Sequence, residues 1–334
     1  MNTELSIIVA IEDTLSDEAM KRSIVSALNQ TVDVSVILAG DYVCENTEKL
    51  LKEYEDKNPD KVKVVNTSEE RWRGGALNLG LRNATSKYLA FVNCGDTLSP
   101  DFAKTLLEIA SKEDADIVAC GYKFDSSNDE EDEEQEEIFE LWANASGELD
   151  YDKYGLLALN PGKAEARIVK RELFDKNGIW FPEHLSYEKL GVNRLLLFSA
   201  KRFAYTEEPL YIIAEDISSD ISEEDLFDRI DVMNFFIEEC YKREILEEYP
   251  EEIEAAVVDD MYIKTLFTYM AITPGRKRKI TFLKELADAI SDCFPEFETN
   301  PFYYDKYDDD IKDLVSLHML SPFKFIKATM KMDF

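Results

Sequence analysis

The chain has 334 residues, 45% hydrophobic and 11% aromatic, enough apolar material for a large core, which excludes a globally disordered polypeptide. Its 38 lysines and arginines are outweighed by 70 aspartates and glutamates, giving a formal charge of −32. So acidic a surface argues against nucleic acid as a partner and leaves at most peripheral contact with an anionic membrane, since both are polyanions.

The opening MNTELSIIVAI has no basic stretch and no cleavage site, so it reads as mature sequence rather than a signal peptide. No apolar run approaches the length of a membrane span. Five scattered cysteines without a Cys-x-x-Cys pair suggest reduced thiols and a cytoplasmic location, with membrane association left open.

The first hundred residues alternate strand and helix patterns. Leu5–Ile11 is a continuous apolar run, as expected of a strand covered on both faces. Ser16–Asn29 is a predicted helix with Met20, Ile24 and Leu28 in line and Ser16 as its cap. Predicted strands at Val34–Leu38, Val62–Val65, Tyr88–Val92 and Asp116–Tyr122 alternate with predicted helices at Thr47–Lys57, Gly75–Ala84 and around Ala103–Ala110. This alternation implies an α/β fold, a mostly parallel sheet flanked by helices.

Residues 128–137 carry eight acids and read as a solvated loop. Apolar runs return at Arg167–Phe174, Gly178–Phe181 and Glu207–Ile213, with a helical pattern over Leu190–Ala200. Helical patterns dominate from Ser222 onward, at Ile230–Glu239, Ile253–Ala271 and Phe282–Cys293. A boundary within Ser218–Glu224 therefore separates an α/β domain, residues 1–218, from a helical C-terminal region, residues 219–334. Gly275–Lys279 (GRKRK) is the one dense basic patch; it reads as a solvated helix start or as an attractor of a diphosphate-bearing lipid or a membrane surface.

The most informative stretch is Lys87–Asp101, KYLAFVNCGDTLSPD. A buried strand stops at a small polar turn, Asn93-Cys94-Gly95-Asp96, and Ser99-Pro100-Asp101 then has the composition of a capped helix start. Such a turn delivers a carboxylate to the carboxyl edge of a sheet, where open α/β folds bind ligands.

This stretch resembles the Tyr-Ile-x-Phe-(Val/Leu)-Asp-x-Asp-Asp segment of inverting family 2 glycosyltransferases, which have the GT-A fold. The resemblance covers roughly residues 4–215. Ser26–Thr31 (SALNQT) is similar to the family's Ser-(Ile/Leu/Val)-x-x-Gln-Thr, Val36–Thr47 to its second strand and acidic turn, and Gly74–Gly80 (GGALNLG) to Gly-x-Ala-Arg-Asn-x-Gly. Ile179–Ala200 matches Ile-x-Phe-Pro-Glu-x-x-x-x-Glu-Asp in spacing. The usual residues are replaced by Ala10, Gly40, Leu77, Gly95 and Lys189, the last standing where the family places its general base.

The resemblance implies transfer of a sugar, with inversion, from a UDP- or GDP-linked donor to a glycan or surface-polysaccharide acceptor. It implies Asp41, Gly74, Gly75 and Asn78 as nucleotide-binding residues, Asp96 as the ligand of a divalent metal (Mn or Mg), and Glu188 as the remaining base. Losses concentrated on chemistry also suit a catalytically inactive binding or scaffold protein on the same fold. A sugar nucleotidyltransferase is disfavoured, because the loop after the first strand, Glu12-Asp13-Thr14, is acidic and lacks glycine.

Overall fold

The computed structural model describes residues 3–125, 133–214, 221–330 and 332. The chain divides into two compact units, Met1–Ser219 and Asp220–Phe334.

The first unit is built on one nine-stranded sheet. Its strands are β1 (Leu5–Ile11), β2 (Ser35–Gly40), β3 (Val62–Asn66), β4 (Tyr88–Asn93), β5 (Thr97–Leu98), β6 (Ile117–Phe124), β7 (Gly147–Glu148), β8 (Arg167–Lys170) and β9 (Arg202–Ile213). The order is β3-β2-β1-β4-β8-β6-β9-β5, with β7 also paired to β9. β3, β2, β1 and β4 run parallel, and β6 pairs parallel with β9. β8 is inserted antiparallel between β4 and β6. The fold is thus a mostly parallel sheet with short reversed strands.

The helices of this unit are α1 (Asp17–Leu28), α2 (Glu45–Lys57), α3 (Trp72–Asn83), α4 (Phe102–Glu113), α5 (Glu133–Ala145), α6 (Tyr151–Leu159), α7 (Arg171–Asn177) and α8 (Lys189–Ser199). Strand side chains alternate between two covered faces. Ile7, Val9, Val36 and Leu38 share a core with Met20 and Ile24 of α1, Leu51 of α2 and Leu106 of α4. Ile8 and Ala39 point the other way, against Gly80 of α3, where an added Cβ would lie 2.5 Å from Ile8. Close packing of α3 on the sheet therefore requires glycine there.

Ser16 caps α1 by accepting from the Ala19 amide, as expected. Two expectations need correction. α4 begins at Phe102 with Asp101, not Ser99, at its cap position, because Thr97–Leu98 first forms β5 on β9 and the Ser99 amide bonds to the Leu210 carbonyl. Of the acidic tract, residues 133–137 open α5 instead of forming a loop, while 128–132 lie outside the described residues. Acids suit a helix N-terminus, and Gln135 donates to the Tyr122 carbonyl at 2.6 Å while Phe139 and Trp142 pack among Tyr122, Phe203 and Tyr205. The apolar run Gly178–Phe181 is a loop: Gly178 ends α7 in the left-handed conformation, φ 60°.

The second unit is helical: α9 (Glu223–Lys242), α10 (Ile245–Glu248), α11 (Pro250–Val257), a π-helical turn (Val258–Ile263), α12 (Lys264–Ile272), α13 (Ile280–Cys293), α14 (Pro301–Lys306), α15 (Asp309–Leu320) and α16 (Pro322–Thr329). A capping box of Ser222 and Asp225 starts α9. No described helix is long and apolar enough to cross a membrane.

Candidate functional site

The parallel strands end on one edge of the sheet, and the residues singled out by sequence gather there in three polar groups. The first follows β4. Asp96 is only 5% exposed. Its Oδ2 accepts from the Tyr211 hydroxyl at 2.6 Å and from Asn93 Nδ2 at 3.2 Å, and its Oδ1 accepts from the Ala214 amide at 2.9 Å. Burial pushes the Asp96 carboxyl up, against the pull of these donors. Asn93 Nδ2 also reaches Glu165 at 3.1 Å. The Lys189 ammonium donates to Glu165 at 2.7 Å and to the Asn93 Oδ1. Burial alone would raise the Glu165 pKa; the ammonium more than offsets it and holds that carboxyl at about 2.

The second group lies beside it. Arg73 Nε, on α3, donates to Glu12 at 2.8 Å, and Arg73 Nη1 is 3.9 Å from Glu188 Oε1. Burial works against the Arg73 charge, but Glu188 and Glu12 outweigh it and raise its pKa. Glu188, at the cap position of α8, is 2% exposed, and its Oε1 has no hydrogen-bond partner among the described residues.

The third group links β2 to the loop before α8. Asp41 Oδ1 accepts from the Thr67 hydroxyl at 2.8 Å and from the Arg71 amide at 2.9 Å. Arg71 Nη1 is 3.3 Å from Glu183 Oε2. Asn78 Nδ2 donates to the Phe181 carbonyl and to Glu183, and Asn78 Oδ1 accepts from the Phe181 amide. The expected nucleotide contact at Asn78 is therefore a clamp on the 181–183 loop.

The two glycines are corrected in the same sense. An added Cβ on Gly74 would lie 2.0 Å from the Pro182 carbonyl, and one on Gly75 would lie 2.3 Å from the Arg71 Cβ. Both positions are small where protein approaches them closely. Gly95 has φ 98°, a conformation side chains rarely adopt, which explains why no acid stands there.

Four residues around this edge have positive φ without being glycine: Tyr42 (48°), Trp72 (60°), His184 (60°) and Tyr187 (62°). Backbone held in this region costs on the order of 1–3 kcal/mol per residue and concentrates at functional sites. No sequence signal marked Tyr42, Trp72 or Tyr187. Arg71, Arg73, Glu165, Glu183 and Tyr211 were also not foreseen. Arg73 and Glu165 show no motif of their own.

Among the described residues no three His, Cys, Asp or Glu side chains converge as a metal site. Asp96 is held by Tyr211, Asn93 and the Ala214 amide, and the cation next to Asn93 and Glu165 is the Lys189 ammonium. A divalent cation bound together with a diphosphate takes one or two carboxylates beside phosphate oxygens and water, and Asp96 is the residue that would hold it.

The family model of glycosyl transferase family 2 matches residues 6–178, more than half of the chain. The chain belongs to glycosyl transferase family 2. Among curated proteins it is 24% identical over 272 residues to the putative glycosyltransferase EpsH of Bacillus subtilis (strain 168), covering 76% of this chain and 74% of that one. It is 25% identical over 213 residues to the uncharacterized glycosyltransferase YibD of Escherichia coli (strain K12), covering 62% and 60%. Among solved structures, residues 1–349 of S. aureus TarS in complex with UDP-GlcNAc superpose with a TM-score of 0.63 at 16% identity, covering 96% of this chain and 92% of that one. The mannosyltransferase PcManGT from Pyrobaculum calidifontis, in complex with GDP-Man and Mn2+, gives 0.51 at 13%, covering 100% and 88%. These likenesses establish the GT-A fold.

Proposed function

We propose that this family 2 protein transfers a sugar, with inversion and slowly, from a UDP- or GDP-linked donor to a glycan or surface-polysaccharide acceptor. The observation that carries this reading is Glu188: a buried carboxylate at the ligand-binding edge whose Oε1 has no hydrogen-bond donor among the described residues. A buried polar atom left unpaired needs a reason, and an acceptor hydroxyl is one. The hydroxyl oxygen bonds to the anomeric carbon as its proton passes to Glu188. The anomeric carbon–oxygen bond breaks, and its electron pair leaves with the nucleoside diphosphate.

Arg71 and Arg73, in the first turn region of α3, supply positive charge for that leaving group, and the helix N-terminus adds to it. The exposed rings of Tyr42 and Trp72 flank Asp41 and Arg71 and offer faces for a base or sugar. UDP and GDP are chosen because the structural neighbours hold UDP-GlcNAc and GDP-Man.

A second reading, a binding protein without turnover, is favoured by Lys189. A lysine amine that donates to both Glu165 and Asn93 stands where this family places a base. Transfer and hydrolysis assays with UDP- and GDP-sugars on the wild type and Glu188→Gln, beside calorimetric titration of UDP and GDP, separate the two. We expect Glu188→Gln to lose about 10²–10⁴-fold in turnover while keeping nucleotide affinity. Nucleotide binding with no wild-type turnover supports the second reading. Turnover that survives Glu188→Gln puts the base elsewhere.

A further inference from the structure

In a chain with 70 acids, residues 261–284 contain none and carry six lysines and arginines, and residues 314–332 contain none and carry three. The fold of the second unit joins the two segments. Arg278, buried, donates through Nη1 to the Thr329 carbonyl at 2.8 Å and through Nη2 to the Met270 carbonyl at 3.0 Å. Gly275 lies so close to the end of α16 that an added Cβ would be 2.5 Å from the Met330 carbonyl. Arg278 is thus a staple. It leaves Arg276 and Lys277 exposed next to α16, whose own Lys324 and Lys327 are exposed too. None of these four has a carboxylate within ion-pair distance among the described residues, whereas Lys279 is paired with Glu223 at 2.8 Å.

α16 is amphipathic the wrong way round for a buried helix alone. Phe325 and Thr329 face inward. At 100° per residue, Phe323, Lys327 and Met330 form a stripe on the opposite side. Phe323 is 66% exposed and Leu320, just before the helix, 74%. Large apolar side chains interleaved with unpaired lysines are the composition of a surface that lies in a lipid interface.

From this juxtaposition we propose that the Gly275–Lys279 loop and α16 form a docking surface for a bilayer rich in anionic phospholipid. The basic side chains meet the headgroups, and Leu320, Phe323 and Met330 enter the acyl boundary. Net charge does not forbid this. The Debye length is about 8 Å at physiological salt, so acids farther from the surface than that are largely screened. The complementarity is local: Arg276, Lys277, Lys324 and Lys327, with no carboxylate within ion-pair distance among the described residues, favour a polyanionic surface. The proposal is independent of whether the first unit turns over substrate.

The test is co-sedimentation of the full chain with vesicles of phosphatidylcholine alone and of phosphatidylcholine with phosphatidylglycerol, at low salt and at high salt. Binding to the anionic vesicles that weakens at high salt, with little binding to the neutral ones, is expected. Each lysine near such a surface is worth about a factor of five, so Lys324→Gln with Lys327→Gln should lower partitioning about 25-fold. Phe323→Ser should lower it about tenfold or more at both salt concentrations. All three side chains are exposed, so circular dichroism should show folded variants. No binding to anionic vesicles at low salt, equal binding to neutral vesicles, or binding untouched by both sets of substitutions overturns the proposal.

Discussion

Lys189 decides more of this site than any other residue. Its side chain and that of Glu165 are each 13% exposed, so each charge is stable only because of the other. Lys189→Met should therefore cost about 3–5 kcal/mol of stability, the usual penalty for stranding a buried charge, and Glu165→Gln in that background should recover most of it. Chemical denaturation of the single and double variants measures this; a Lys189→Met protein as stable as wild type would mean that water already solvates Glu165. The same ammonium bears on the metal. With Asp96 engaged by Tyr211 and the Ala214 amide and no three carboxylates converging among the described residues, the diphosphate and water would supply most of a cation's oxygen ligands, so adding Mn2+ or a chelator should change nucleotide affinity by less than about twofold. Calorimetry with UDP and GDP checks it. A strong Mn2+ requirement would mean that Asp96 exchanges Tyr211 and Ala214 for the ion.

At the scale of elements, α1 is the grip on the site's acidic turn. Ser23 Oγ donates to the Asp96 carbonyl and accepts from the Gly95 amide, both at 2.7 Å. Gln30 donates to the Ser99 carbonyl at 3.0 Å and accepts from the Ala103 amide at 2.8 Å. Gln30→Ala would strand the buried Ala103 amide and should destabilise by about 1–3 kcal/mol, read from the shift in the denaturation midpoint. A shift well below that range would mean water replaces the side chain. Ser26 Oγ accepts from the Leu98 amide at 3.1 Å, so Ser26 and Gln30 together hold the segment after the turn, which explains why Ser-x-x-x-Gln-Thr is legible in the sequence. The first four strands were equally legible, because continuous apolar runs between breakers fit little else. β5, β7 and β8 were not, since two to four residues of strand carry no period and depend on partners far along the chain. The site was half legible. Motif order located Asp41, Asn78, Asp96 and Glu188 on one edge, but no spacing revealed that Asn78 and Gly74 serve the 181–183 loop. Gly74→Ala tests that assignment: with its Cβ placed 2.0 Å from the Pro182 carbonyl, it should destabilise by about 1–3 kcal/mol even with no nucleotide present.

For the molecule as a whole, the acid limb of stability combines opposing effects, and their pH windows separate them. Protonating an excess of 32 negative charges relieves repulsion and favours the compact state, but Asp and Glu titrate mainly near pH 4. Glu165, Asp116 and Glu55 have folded pKa values below their ordinary ones, so their stabilisation is lost only as pH falls below the carboxylate range. His318 acts earlier. It is fully buried, its Nε2 donating to the Leu283 carbonyl at 3.0 Å and its Nδ1 accepting from the Tyr262 hydroxyl at 2.7 Å. Burial lowers its pKa from 6.5 to about 4. The unfolded chain therefore takes up this proton between pH 6.5 and 4 while the folded chain refuses it, so stability falls as pH falls through that window. From pH 7 to pH 5 the loss should be about 2 kcal/mol, before the carboxylates contribute. Thermal unfolding of wild type and His318→Gln at pH 7, 6 and 5 provides the comparison. His318→Gln is expected to start less stable and to change much less with pH. Parallel pH dependence in the two proteins would assign the early acid limb to other groups.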